Sequence, residues 1–411
     1  MTESIRKIGG VAVASQKKIS GVERGSVEKV AGVKSTYGTF AFTIETAGAD
    51  TFTLPLGTSS NYKFDMIVSW GDGEADSTIT AYDDADRTHS YTGAGTYTVT
   101  LKGKCEYFGF STVPADKDLM KTLVSFSEDI GLKLLNFDAC INLTTLCSFG
   151  KLESLTNAAY LFRDCTSLTG IVAGMFDDCP NITSFRCAFD GCDNVSFTTI
   201  PTDLFKYNTK VISFYYVFNE CRKITAIPSG LFDYNTLVTV FYGAFRSTFV
   251  AAIPTDLFKY NVNVTNFSGL FVNDSKIEEI PVDLFRYNTQ VTTFANTFYS
   301  TDIQAIPDGM FDYNTLAGSF SSTFINCNEA VNALDGTIFE FNTIITSLGN
   351  CFKNCSGLTG NEWGDGNTPD ETPNTIIYNA EHQDTPPTTI DGCFEGCTSL
   401  TDAGSIPLAW R

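Results

Sequence analysis

The chain has 411 residues, 43% of them apolar, and a formal net charge of −20. That length exceeds what one hydrophobic core serves, so several domains or a repeat array are expected. The acidic balance excludes the electrostatics of a nucleic-acid binder, and no run of about 18 apolar residues marks a membrane-spanning helix.

The first 37 residues stand apart in charge and pattern. Residues 1–34 hold seven Lys/Arg against three Asp/Glu, leaving 20 against 44 for the remainder. KIGGV (7–11), KISGV (18–22) and KVAGV (29–33) recur every 11 residues. Their apolar positions, Ile8, Val11, Ile19, Val22, Val30 and Val33, are too few to make a core. They are assigned as partner-anchoring residues that order against other subunits, the plain alternative being a flexible leader. The opening MTESIRKIGGVAVASQKK lacks a 7–15-residue apolar stretch and reads as a poor signal peptide, so either export uses no leader or the leader lies outside this sequence. Short K-[I/V]-x-G-V arrays resemble the N-terminal segments of some tailed-phage virion proteins. That resemblance implies other virion subunits as partners of residues 1–37.

Residues 38–112 read as a β-sandwich. TFAFTIET, DTFTLPL, YKFDMIVSW and YTVTLKG cluster β-formers between Gly, Asp and Asn turns. Within them, SWGDGEAD (69–76) precedes HSYTGAGTYTVTLKG (89–103). Trp70, Gly71, Asp72, Gly73, His89, Tyr91, Gly95, Tyr97 and Val99 resemble in type and spacing the PKD family of Ig-like domains. Trp70 is expected to fill the space between sheets, and Asp72 to cap a turn that Gly71 and Gly73 let bend. His89 reads as a structural strand residue. Asp83, Asp84 and Asp86 form either a solvated acidic turn or a calcium site.

A repeat array is expected from 113 to 411. Ile-Pro returns at Ile200, Ile227, Ile253, Ile280 and Ile306, in steps of 27, 26, 27 and 26. Self-similarity at such a period points to a solenoid. A half-unit F-x-x-[C/N]-x-x-[L/I/V] appears at Phe162, Cys165, Leu168, at Phe176, Cys179, Ile182, and again at Phe394, Cys397, Leu400. It accounts for a large share of the 34 Phe. Runs such as KVISF and KITAI are β-branched and predict stacked parallel strands. PTDLFKYN predicts one helical turn, with Pro near its start and Asp in its first turn. Asn208, Asn235, Asn261, Asn288, Asn314 and Asn342 share one slot, where a polar ladder would satisfy buried backbone groups. The slot-bound cysteines read as buried thiols, disulfides being the alternative. With two isolated His and no paired CxxC, neither a zinc site nor any cofactor is expected. F-x-x-C-x-x-L-T-x-I resembles BspA-like bacterial surface-protein leucine-rich repeats over about 130–411. Residues 361–390, rich in Pro, Asn, Asp and Thr, read as an inserted loop.

The expected fold is therefore mainly β: an extended N-terminal repeat segment, a PKD/Ig-like β-sandwich, then a leucine-rich-repeat solenoid with short helical turns. No nucleophile or metal motif occurs, and Asp203, Asp256 and Asp283 repeat in equivalent settings, unlike the paired unlike carboxylates of a glycosidase. The chain is read as no enzyme. The candidate ligand-binding residues are Tyr207, Tyr234, Tyr260, Tyr287 and Tyr313, whose flanking charges (Lys206, Asp233, Lys259, Arg286, Asp312) mark a solvated face. Tyr offers apolar area with a polar tip, suited to a host-surface glycan or protein; the plain alternative is packing between coils. The favoured role is a phage fibre or decoration protein in the virion, a homo-oligomer without nucleic-acid or membrane partners. The alternatives are a bacterial cell-surface adhesin and a tailspike-like polysaccharide depolymerase.

Overall fold

The computed structural model of the chain describes residues 6–8, 11–13, 38–59, 61–110, 116–331, 337–359 and 387–400. The protein is mainly β with almost no helix. Helical geometry among the described residues is confined to the 3-10 turns Ala85–Arg87, Lys117–Leu119 and Thr337–Phe339. Two compact units divide the chain, Met1–Thr36 and Tyr37–Arg411. In the first, β1 (Arg6–Ile8) pairs antiparallel with β2 (Val11–Val13), and Ile8 is the register partner of Val11. The other anchoring candidates, Ile19, Val22, Val30 and Val33, lie outside the described residues.

The second unit begins with β3 (Thr39–Thr46), β4 (Asp50–Thr53), β5 (Phe64–Ser69), β6 (Ser77–Ile79), β7 (Thr88–Tyr91) and β8 (Gly95–Cys105). β9 (Tyr107–Gly109), β10 (Met120–Phe126) and β11 (Leu134–Asn136) follow. A five-stranded antiparallel sheet runs β10-β3-β8-β5-β6. Alternation decides its faces: Phe64, Met66 and Val68 of β5 are buried, while Asp65 and Ile67 face out. The β4–β7 pair covers the inner face, with the Phe52 ring 5.7 Å from that of Phe42. β10 lies beyond the boundary expected at 112, yet it supplies the edge of this sheet, so the sheet crosses that boundary. Glu106 ties the same junction. Its buried carboxylate meets Lys104 and Lys133, each at 2.9 Å, and accepts the Lys63 N–H. Burial works to raise its pKa, but these donors outweigh it and hold the group down at about 2.

From Leu134 to Thr389, single-residue parallel bridges join successive repeats, through Asn157, Ser184, Ser213, Val240, Asn266, Thr293, Ser319 and Ser347. The stack's interior is three columns of phenylalanine. One runs Phe176, Phe205, Phe232, Phe258, Phe285, Phe311, Phe339, with neighbouring rings 6.0–6.3 Å apart. The second runs Phe185, Phe214, Phe241, Phe267, Phe294, Phe320. The third extends from Phe162 through Phe218 and Phe245 to Phe394. The half-unit motif marks the first and third columns. The second lies outside it.

Two local expectations change. KVISF does not form a strand; only Ser213 bridges, because the chain turns at once. Phe214, Tyr216, Phe218 and Glu220 donate their N–H groups to Val240, Tyr242, Ala244 and Arg246 of the next repeat. Val217 and Cys221 meanwhile bond back three residues, to Phe214 and Phe218. Alternate residues thus stack like a β-ladder while the backbone between them turns. Tyr216 and Glu220 accordingly take left-handed conformations, at φ 53° and 57°. PTDLFKYN likewise forms linked i→i+3 turns, Leu204 to Pro201, Lys206 to Asp203 and Asn208 to Phe205. The reason lies in the asparagine slot. The Asn235 amide donates to the carbonyls of Phe205 (3.1 Å) and Asn208 (3.0 Å), which an α-helix would turn along its own axis. The same pair of bonds recurs from Asn208 to Asn342.

Candidate functional site

The buried asparagine fixes the residue just before it on the outside of each repeat. Tyr207, Tyr234, Tyr260, Tyr287 and Tyr313 therefore form a row, from 41% exposed at Tyr287 to 50% at Tyr207 and Tyr234. Cations lie between the rings. Lys206 Nζ is 5.7 Å from the Tyr207 ring centre and 5.8 Å from that of Tyr234. Lys259 stands likewise between Tyr260 and Tyr287, and Arg286 lies 5.1 Å over Tyr313. Each cation also meets the acid three residues earlier: Asp203 at 3.6 Å, Asp256 at 3.5 Å and Asp283 at 3.4 Å. Asp203 and Asp256 raise the pKa of their lysines. These three acids are thus half of repeated surface pairs.

In repeats where glycine replaces that acid (Gly230, Gly309), the flanking residue is itself acidic (Asp233, Asp312). Burial raises the pKa of both carboxyls, helped by Asp256 beside Asp233 and Glu340 beside Asp312. The row thus presents rings at one per repeat, edged by charges of both signs. Such a surface can stack on apolar ligand faces and hydrogen-bond through five phenol tips.

A second concavity lies some eight to thirteen residues beyond the row tyrosines of four successive repeats. It is a cleft of about 400 Å³ lined by Tyr216, Tyr242, Tyr299, Arg246, Asn273 and Asn296, with Gly269 and Val272 as floor. The Tyr216 ring meets Tyr242 edge-on at 5.2 Å, and Tyr242 stacks on Tyr215 at 4.9 Å. Burial, then the hydrogen bond with Tyr242, pushes the Tyr216 phenol up to about 12, so it stays neutral at ordinary pH. In comparisons with known protein families and with curated proteins, nothing matches this chain. Sequence reasoning missed this cleft. Its residues occupy several slots, and the signal that locates it is an absence of side chains: Gly243 and Gly269 follow Tyr216 in one slot, before Asn296.

The WGDG region is built as a structural turn. Trp70 is buried, donates Nε1–H to Ser77 Oγ at 3.0 Å and stacks on His89 at 4.8 Å. His89 Nε2 lies 2.6 Å from Asp72 Oδ2, and the Tyr91 hydroxyl donates to the Trp70 carbonyl. Burial tends to raise the Asp72 pKa, but His89 and the Glu74 N–H lower it overall. Gly71 sits at φ 85°, where a Cβ would lie 2.4 Å from the Thr98 carbonyl oxygen, so no other residue fits. In the acidic turn, Asp84 accepts the N–H groups of Thr80 and Asp86 as a cap. Among the described residues, no group of three or more His, Cys, Asp or Glu is arranged to hold a metal ion, and no helix is long and apolar enough to cross a membrane.

Proposed function

We propose that this chain is a non-enzymatic virion structural protein, a phage fibre or decoration protein that displays a repeat array for contact with a host-surface glycan or protein. In this reading residues 1–37 anchor it to other virion subunits, residues 38–112 are a PKD/Ig-like spacer, and residues 113–411 are a solenoid of the leucine-rich-repeat type. The parallel bridges at one per repeat and the stacked Phe columns support the solenoid. The Trp70–His89–Tyr91 cluster supports the PKD-like assignment. The observation that carries the function is the tyrosine row: five rings half-exposed at fixed spacing, each set by a buried asparagine. Exposed aromatic surface held rigid by the scaffold loses little entropy on binding.

The test replaces Tyr207, Tyr234, Tyr260, Tyr287 and Tyr313 together by Ser and measures adhesion of labelled protein to a panel of bacterial cells. Wild-type protein should bind a subset of strains, and the variant should lose at least about tenfold in affinity while keeping its thermal unfolding profile. Undiminished binding by the variant would remove the row from the function.

A further inference from the structure

The cleft at Tyr216, Tyr242 and Tyr299 carries a more specific reading than the tyrosine row. Its shape depends on two successive glycines: Gly243 makes room for the Tyr216 ring, and Gly269 lines the trough itself. Gly243 has no room for a Cβ, which would lie on the Tyr216 ring. At Gly269 a Cβ would meet nothing closer than Val272 at 3.6 Å, so the space above it is open. Lining residues come from four consecutive repeats, which gives an elongated trough rather than a pit. Parallel-bridged backbones stand roughly 4.8 Å apart, so four of them span on the order of 14 Å. That length suits an oligomer of ring-sized units.

The trough's polar groups point to the ligand's charge. Among the described residues, Arg246 makes no ion pair within 4.0 Å, and its buried Nε has no hydrogen-bond partner. The carboxylate of the adjacent repeat, Glu220, is held by Arg222 at 2.7 Å. The Arg246 side chain thus lines the trough with its charge offset by no described carboxylate. A planar fork of N–H donors matches a carboxylate better than any neutral acceptor. Around it stand three phenol rings for stacking and the exposed amides of Asn273 and Asn296 for hydroxyl groups. Apolar ring faces, several hydroxyls and one carboxylate together describe a uronic-acid-type sugar within an oligosaccharide. We infer that this trough binds an acidic glycan, with Arg246 on the sugar carboxylate and Tyr216, Tyr242 and Tyr299 against the sugar rings. The assignment rests on the repeat array being a surface-binding module, but not on the tyrosine row.

The test titrates full-length protein by calorimetry with oligogalacturonate and a hyaluronate oligosaccharide, against a neutral malto-oligosaccharide of the same length. At least one acidic probe should bind at least about tenfold more tightly than the neutral one. Arg246→Gln should erase that preference. Gly269→Asn should weaken binding by at least about tenfold, because it fills the trough with a residue that tolerates φ +65°. Equal affinity for acidic and neutral probes, no binding of either acidic probe, or binding indifferent to Arg246→Gln would each overturn the assignment. If Gly269→Asn fails to fold, Arg246→Gln alone decides. Cell adhesion of the wild-type protein is read in parallel. Adhesion with no acidic-glycan binding would sink this inference and leave the proposed function standing, whereas oligosaccharide binding without adhesion would do the reverse.

Discussion

Asp274 is the residue whose chemistry most depends on its position. It lies three residues after a third-column Phe, where other repeats hold Cys192, Cys221, Thr248, Thr301 or Cys327. It is fully buried, and desolvation raises its carboxyl to about 7 despite hydrogen bonding to Thr248. Thr248 Oγ1 lies 2.5 Å from Asp274 Oδ2 and 3.0 Å from the Phe245 carbonyl. The Thr248 hydroxyl is within donating reach of both oxygens, and burial outweighs the support it gives the carboxylate. The folded pKa thus exceeds the ordinary value of 3.8. As pH rises from about 4 to about 7, the unfolded chain releases this proton while the folded chain keeps it. Stability should fall across that window, by on the order of 4 kcal/mol in all, and level off above it. Urea unfolding at pH 5 and pH 8 should show this loss in wild-type protein and a much smaller one in Asp274→Thr. Parallel pH profiles for the two would mean the carboxyl is ionised in the fold.

The cysteines of the same slot behave differently, since a buried thiol costs little. All 13 cysteines are thiols, and all but Cys147 are buried. Burial raises the Cys105 thiol to about 12 and Cys147 to about 11, which suppresses the reactive thiolate. Thiol titration should find few reactive groups in native protein, Cys147 the first among them, and many after unfolding. Rapid labelling of most thiols in the native state would contradict their burial.

At the scale of the repeat, stability resides in the columns rather than in the charges. Phe245 is fully buried between Phe218 at 5.8 Å and Phe271 at 5.9 Å. Phe245→Ala should cost about 3–5 kcal/mol, through lost transfer energy and the cavity left behind. Lys206 and Asp203 form a solvent-exposed pair at 3.6 Å, whose attraction is largely screened. Lys206→Ala or Asp312→Ala should leave stability close to that of the wild type. Chemical denaturation separates the two classes; similar losses in both would mean the Phe register is misread. The turn chemistry reinforces the division. Acid-x-x-cation repeats are interspersed with Gly-x-x-acid repeats, as in Asp203–Lys206 and Gly230–Asp233, so the exposed charge varies while Phe and Asn stay buried.

Across the molecule, residues 1–37 are positive where the remainder is acidic. Complementary charge favours attraction to an acidic partner surface. Among the described residues, the core of the second unit runs from Phe40 to Leu400. Deleting residues 1–37 should therefore leave the unfolding transition of the remainder intact and abolish incorporation into virus particles. Protease should cut this segment more slowly in the assembled particle than in free protein. Normal incorporation of the truncated chain would favour the surface-adhesin alternative.

Periodicity was legible because each repeat must place the same side chain over the same neighbour. The 26–27-residue step, the asparagine slot, the exposed tyrosines and the buried cysteines all follow from one-dimensional recurrence. The Trp70–His89 cluster was legible for a related reason, since a glycine turn and an alternating strand bring those residues together locally. Conformation within the repeat was not legible. KVISF and PTDLFKYN carry strand and helix propensities, but the carbonyls and N–H groups that would complete either element are taken by the next repeat. The second Phe column falls outside the half-unit motif, and the trough at Arg246 depends on the space that Gly269 leaves open and on side chains from four repeats. Propensity and spacing act along one chain segment, whereas ladder hydrogen bonds and cavities belong to neighbours far apart in sequence, so only the tertiary structure decided them.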